Sequence, residues 1–257
     1  MPDMTDRNRH TRLHNRVALV TGGSRGIGAA TALALAEAGA DVAISYRVAQ
    51  DSAAAVQQAI EACGVRGAAF RADQSRPAEV EALVHAVLRG FGRLDILVNN
   101  AALFVAGAVD DPDANLDGLA LQARVNIGGV VSAIRAAARV MGRDGRIITV
   151  GSAMAGPVGF PGLADHAATK AAVAAYSRGA ARDLGAAGIT VNVVQPCAIE
   201  TDPNPSDGPF AAEQIACNAL GRFGRPEEVA AGIVFLAGPE ASFITGAVLN
   251  IDGGFAA

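Results

Sequence analysis

The sequence predicts an α/β protein built on a doubly wound, parallel sheet of seven strands with helices on both faces. Three observations lead there. Seven short apolar runs rich in Val and Ile recur along the 257 residues, and most lack the polar alternation of a half-exposed strand. Ala-rich stretches of helical length separate them. Repeated strand–helix–strand units of this kind close a parallel sheet through right-handed crossovers, with helices on both sides.

The strands read, in order, at residues 16–21, 41–46, 67–71, 94–99, 146–151, 190–195 and 247–251. The helical stretches between them cover 27–38, 52–63, 77–91, 119–141, 167–184 and 226–237. Pro77 and Pro226 suit the first turn of a helix, where a missing N–H costs nothing. One segment breaks the rhythm. Residues 201–208 read TDPNPSDG, and Pro, Gly and Asp there exclude regular structure. With the short helical stretch that runs on to Asn218, it reads as a lid over a site. Neither a repeat nor a linker is visible, so residues 15–257 form a single domain, and residues 1–14 read as a mobile tail.

Composition excludes several classes. At 51% hydrophobic and 18% charged residues, the chain is not disordered. Net charge is −4 with no basic block, which gives nucleic acid or an anionic membrane no electrostatic footprint. No apolar run approaches the roughly 20 residues of a spanning helix. Cys63, Cys197 and Cys217 lack metal-ligand spacing and read as free thiols of a cytoplasmic protein, so no metal is expected.

The first chemical signal follows the first strand: Thr21-Gly22-Gly23-Ser24-Arg25-Gly26-Ile27-Gly28. Glycines in such a turn let backbone N–H groups approach a pyrophosphate, and the next helix aims its positive end at the same place. The spacing is Gly-x-x-x-Gly-x-Gly rather than Gly-x-Gly-x-x-Gly. The second strand ends in Ser45-Tyr46-Arg47, without the acid that holds a ribose 2′-hydroxyl in NAD-specific proteins. Arg47 and Arg25 instead offer planar forks suited to a 2′-phosphate, and the pair favours NADP(H).

With these motifs in place, the chain resembles the short-chain dehydrogenase/reductase family, in the branch of the 3-oxoacyl-acyl-carrier-protein reductases, from about Arg16 to Phe255. The resemblance implies a Rossmann-type fold and a set of site residues. Gly22, Ser24, Arg25, Gly26, Ile27 and Gly28 make the cofactor turn. Tyr46 and Arg47 lie at the adenosine end, and Asp73 with Gln74 at the adenine. Asn99, Asn100 and Ala101 match the family's Asn-Asn-Ala-Gly, with Ala102 in the last position. Pro196, Ile199 and Thr201 match the segment that touches the nicotinamide, with Cys197 replacing a glycine. Asn126, Ser152 and Lys170 match the catalytic asparagine, serine and lysine, and Lys170 also binds the ribose. The family generally assembles as homotetramers, and the Ala-rich run 167–175 would allow the close helix approach that this needs.

One position departs. Where the resemblance implies Tyr-x-x-x-Lys, this chain reads His166-Ala167-Ala168-Thr169-Lys170. Residues four apart share a helix face, so the geometry survives while the chemistry changes. An imidazole is a general acid or base near its ordinary pKa of about 6.5, and the Lys170 ammonium should push that value down. Three readings stay open at this point. His166 works as the acid/base of an NADP(H)-dependent ketone/alcohol interconversion. Hydride transfer is weakened or lost, and the chain serves as an NADP-binding or regulatory protein. Or His166 is an engineered replacement in an ordinary reductase. The substrate is bounded only as a small carbonyl or alcohol, in a pocket floored by Ser152, Met154, His166 and the lid.

Overall fold

The computed structural model describes residues 12–257. The expected sheet is present, with all seven strands parallel in the order β3-β2-β1-β4-β5-β6-β7. The strands are β1 Val17–Val20, β2 Asp41–Tyr46, β3 Gly67–Arg71, β4 Ile96–Asn99, β5 Arg146–Val150, β6 Thr190–Pro196 and β7 Val248–Ile251. The helices are α1 Gly26–Glu37, α2 Gln50–Ala62, α3 Pro77–Phe91, α4 Leu116–Ala123, α5 Val130–Ala138, α6 Ala164–Leu184, α7 Ala211–Ala216 and α8 Pro226–Ala237.

Successive strand residues supply opposite faces. In β1, Ala18 and Val20 enter one core with Leu35 of α1, Ile60 of α2 and Ile233 of α8. Val17 and Leu19 enter the other core with Val84 of α3, Ile134 of α5 and Val173 of α6. Both faces are thus covered, which is why the strands read as continuous apolar runs.

Three expectations need correction. Arg12, Leu13 and His14 are no part of a tail: Leu13 is 2% exposed inside the first core, and its N–H donates to Ala38 O at 2.9 Å. Arg12 pairs with Glu240 at 2.7 Å. A single leucine in a polar stretch carries too little pattern to reveal this docking. Residues 1–11 of the expected tail lie outside the described residues.

The stretch read as one helix over 119–141 is three pieces: α4, a π-helical turn Arg124–Gly129, and α5. It starts at Leu116, where Asn115 accepts from Gly118 N–H at 2.9 Å and caps the helix. Helix α6 starts three residues earlier than expected, which puts His166 in its first turn.

Among the described residues no helix is long and apolar enough to cross a membrane, and no cluster of His, Cys, Asp and Glu could hold a metal ion. The three cysteines are free.

Candidate active site

Strand β1 pairs with β2 on one side and β4 on the other, so the chain leaves β1 and β4 in opposite directions. A crevice opens at their carboxyl ends, where ligands of such sheets bind. The glycine turn lines it. Gly22 sits at φ +65°, a conformation that favours glycine, and a Cβ on Gly28 would lie 2.3 Å from Gly22 O. Asn100 fixes the turn from β4: its Nδ2 donates to Thr21 O and Gly22 O, both at 3.0 Å. Thr21 Oγ1 in return accepts the N–H groups of Asn100 and Ala101 at 3.0 and 3.1 Å. Asn99 Nδ2 donates to Thr149 Oγ1 at 3.3 Å, while its Oδ1 is buried without a partner.

At the outer end of the crevice, Arg25 and Arg47 are exposed and Tyr46 is half-buried. The Asp73 carboxylate accepts Ser75 N–H at 2.9 Å and Ser75 Oγ–H at 2.7 Å. Burial pushes its pKa up, but these bonds and the charges of Arg47 and Arg76 outweigh it and leave the carboxyl below its ordinary value. Gln74 is buried under the π-helical turn, where a Cβ on Gly129 would lie 2.4 Å from Gln74 O.

The other wall comes from the end of β6. Ile199 bridges to Gly224 and Thr201 to Asn204. The Thr201 methyl lies 3.2 Å from where a Gly26 Cβ would be, so the start of the lid reaches the glycine turn. Helix α7 completes that segment, held by two hydrogen bonds between the side-chain amides of Asn204 and Gln214 at 2.9 and 3.0 Å. The Cys197 thiol is pushed up to about 11, mainly by burial, and is an inert neighbour.

The reactive groups meet between β5 and α6. Lys170 Nζ donates to Val150 O at 2.9 Å, two residues before Ser152. Ser152 Oγ accepts Met154 N–H at 3.2 Å and caps a short 3-10 turn that packs on α6. Asn126 sits in the π-helical turn, where its Nδ2 donates to Thr169 Oγ1 at 3.1 Å and Leu103 O at 2.9 Å. Its Oδ1 accepts Leu103 N–H at 2.8 Å.

His166 is 9% exposed and its Nδ1 is buried without a hydrogen-bond partner. Its pKa is held down to about 4, first by burial and then by Lys170. Like-charge repulsion, the cause expected from sequence, is therefore the smaller one. Burial also lowers Lys170 to about 8, so at pH 7 the ammonium persists beside a neutral imidazole.

Hydrogen bonds join the glycine turn to Asn100 and Ala101, Thr201 abuts Gly26, and Lys170 of α6 bonds Val150 O at the end of β5, two residues before Ser152. Sequence reasoning missed Phe104, whose ring packs edge-on against His166, and Gln122, whose Oε1 accepts Val105 N–H at 2.7 Å. Both serve the irregular stretch after β4, where no periodicity marks which side chains turn inward.

The chain is similar to known proteins over nearly its whole length. The family model described as enoyl-(acyl carrier protein) reductase matches residues 22–256. The chain is 41% identical to the cyclic-di-GMP-binding biofilm dispersal mediator protein of Escherichia coli K12, over 94% of this chain and 98% of that protein. It is 40% identical to a 3-oxoacyl-[acyl-carrier-protein] reductase of Synechocystis, over 95% and 98% of the two chains. Among solved structures, a short chain dehydrogenase from Burkholderia cenocepacia J2315 in complex with NADP superposes with a TM-score of 0.94 at 47% identity, covering 96% of this chain and all of that one.

Proposed function

Because the chain belongs to the short-chain dehydrogenase/reductase family, we propose that it is an NADP(H)-dependent oxidoreductase that interconverts a ketone and a secondary alcohol, with His166 as the acid/base. The observation that supports this reading is the buried, neutral His166 beside Lys170, whose Nζ bonds Val150 O two residues before Ser152.

The crevice fits NADP(H). Its floor is a glycine turn in which a Cβ on Gly22 or Gly28 would collide with backbone, which leaves backbone N–H groups free to approach a phosphate there. Two exposed arginines, Arg25 and Arg47, stand where a 2′-phosphate would need them. The related Burkholderia dehydrogenase binds NADP. Asp73 and Gln74 would border the adenine, Lys170 would hold the nicotinamide ribose, and Pro196, Ile199 and Thr201 would back the nicotinamide. The bound cofactor supplies the hydride.

The chain's own residues do the rest. Ser152 O–H would donate to the carbonyl oxygen while its Oγ still accepts Met154 N–H. His166 would give that oxygen a proton in reduction and take one from the alcohol in oxidation. Lys170 keeps a positive charge at the site, which stabilises developing alkoxide. Asn126 holds Leu103 and Thr169 in place and so fixes the loop after β4 to α6.

A second reading is favoured by one observation. An imidazole held at about 4 carries little proton at neutral pH, which makes it a weak acid. A protein with a slow hydride step would serve as an NADP-binding or regulatory component. The Escherichia coli relative is named for binding a signalling nucleotide.

A panel of ketones followed by NADPH absorbance separates the two. Turnover supports the enzyme; tight NADPH binding without turnover on any carbonyl supports the regulator. The chain is also proposed to form homotetramers. Phe235 of α8, Phe243 and Leu249 of β7 leave apolar surface exposed near the sheet edge, and light scattering would show the assembly.

A further inference from the structure

We propose that Phe104 is a positioning residue for His166: its ring braces the imidazole edge-on and takes the place of the hydrogen-bond partner that the imidazole lacks. The inference rests on His166 being the acid/base of the reading above.

A histidine that moves protons is usually oriented through its second nitrogen, by a carboxylate or a carbonyl. Here Nδ1 is buried without any such partner. Hydrogen bonding therefore leaves the rotation of the imidazole free, and packing must set it. The ring contact is with Phe104, at 5.0 Å between centroids and 66° between planes. That is the geometry of an edge-to-face aromatic pair. Phe104 is itself 60% exposed, so burial alone does not explain a large apolar ring at this spot.

The brace has a rigid base. Asn126 takes both the N–H and the C=O of Leu103, at 2.8 and 2.9 Å. Gln122, one helical turn earlier, accepts Val105 N–H at 2.7 Å. The two amides grip the residues on either side of Phe104. The chain of contacts then closes on itself. Asn126 Nδ2 donates to Thr169 Oγ1 at 3.1 Å, and Thr169 Oγ1 donates to His166 O at 2.8 Å. The backbone of His166 and the ring that touches its side chain are thus held by one asparagine.

The charged group that reaches His166 is Lys170, from its own helix. The loop side is the apolar run Ala101 to Val105, which carries no titratable group, and the π-helical turn reaches this helix through the neutral amide of Asn126 on Thr169. Removing the Phe104 ring would let water to the imidazole and leave the Lys170 charge in place.

The test compares the parent with Phe104→Ala and Phe104→Tyr by NMR of the histidine rings, with His166→Phe to assign the His166 signal. The parent imidazole should stay neutral down to about pH 5. The Ala variant should titrate at least about one unit higher as burial is relieved, and the Tyr variant, which keeps the ring, should match the parent. In NADP-dependent alcohol oxidation at about pH 8, where the imidazole is neutral in every variant, kcat should fall about tenfold in the Ala variant and recover in the Tyr variant, with NADPH affinity unchanged in both. An Ala variant whose His166 signal titrates with the parent's and whose kcat is within twofold of it overturns the proposal. If the parent reduces no ketone, the enzymatic reading fails. The titration then decides alone whether Phe104 braces the ring.

Discussion

Two buried ionisable side chains lie at opposite ends of the sheet, and their surroundings differ. Asp95, just before β4 at the amino ends, is 5% exposed and fully engaged. It accepts Val17 N–H at 2.9 Å and two bonds from Arg93 at 2.7 and 2.8 Å, with Arg16 at 3.5 Å. His166, at the carboxyl ends, is nearly as buried, yet its Nδ1 has no partner. Asp95 is buried with its bonds made, because an unpaired buried charge costs several kcal/mol. A group that serves chemistry is left neutral and open, at the mercy of what enters beside it. The difference teaches that burial alone does not mark a site; nor does a missing partner by itself, since Thr31, Arg146 and Ser177 also bury unpartnered atoms, and what sets His166 apart is the lack of a partner beside Lys170.

The comparison can be broken at either end. The largest effect on stability belongs to Asp95. Asp95→Ala should cost about 3–5 kcal/mol by removing the partner of two arginines and a backbone N–H, read by denaturant unfolding, with NADPH affinity kept. Loss of cofactor binding without loss of stability would dissolve the contrast.

The next effect depends on pH. Burial and Lys170 hold His166 at about 4 in the folded chain, below the ordinary 6.5 that the unfolded chain regains. Between these values the unfolded state binds the extra proton. The contribution is present above pH 6.5 and lost as pH falls through 4, by up to about 3 kcal/mol. His166→Phe should lack this component, so its stability should fall less steeply than the parent's between pH 6.5 and 4. Parallel curves for the two proteins would mean that His166 is not held neutral.

The smallest effect lies at the outer crevice. Arg47→Ala should weaken NADPH binding about tenfold, the worth of one charge-assisted contact in partly solvated surroundings, and leave NADH binding unchanged. Equal loss for both cofactors would show that Arg47 does not read the 2′-phosphate.

The sheet was legible because each strand is buried on both faces. Residues 41–46 and 67–71 read from sequence coincide with β2 and β3, and the glycine turn falls where β1 meets α1. Elements whose pattern is tertiary were not legible. The π-helical turn follows from Asn126 reaching Leu103 and from Gly129 lying against Gln74, contacts far apart in sequence. Leu13 docks through one side chain, and Phe104 reaches His166 across 62 positions. Motifs located Ser152, His166 and Lys170, but only the packed structure shows that burial, more than Lys170, keeps the imidazole neutral.

The central claim is that His166 moves the proton. Its most direct test is the pH dependence of NADPH-driven ketone reduction and of alcohol oxidation in the parent, His166→Phe and His166→Tyr. A donor with a pKa of about 4 predicts that reduction by the parent fades as pH rises above that value. Oxidation, which needs neutral His166, should hold up over the same range. His166→Phe should lose both directions by about a hundredfold or more, and His166→Tyr should retain or raise them. A Phe variant that reduces ketone as fast as the parent, with the same pH profile, would contradict the account and move the proton to Ser152 or water.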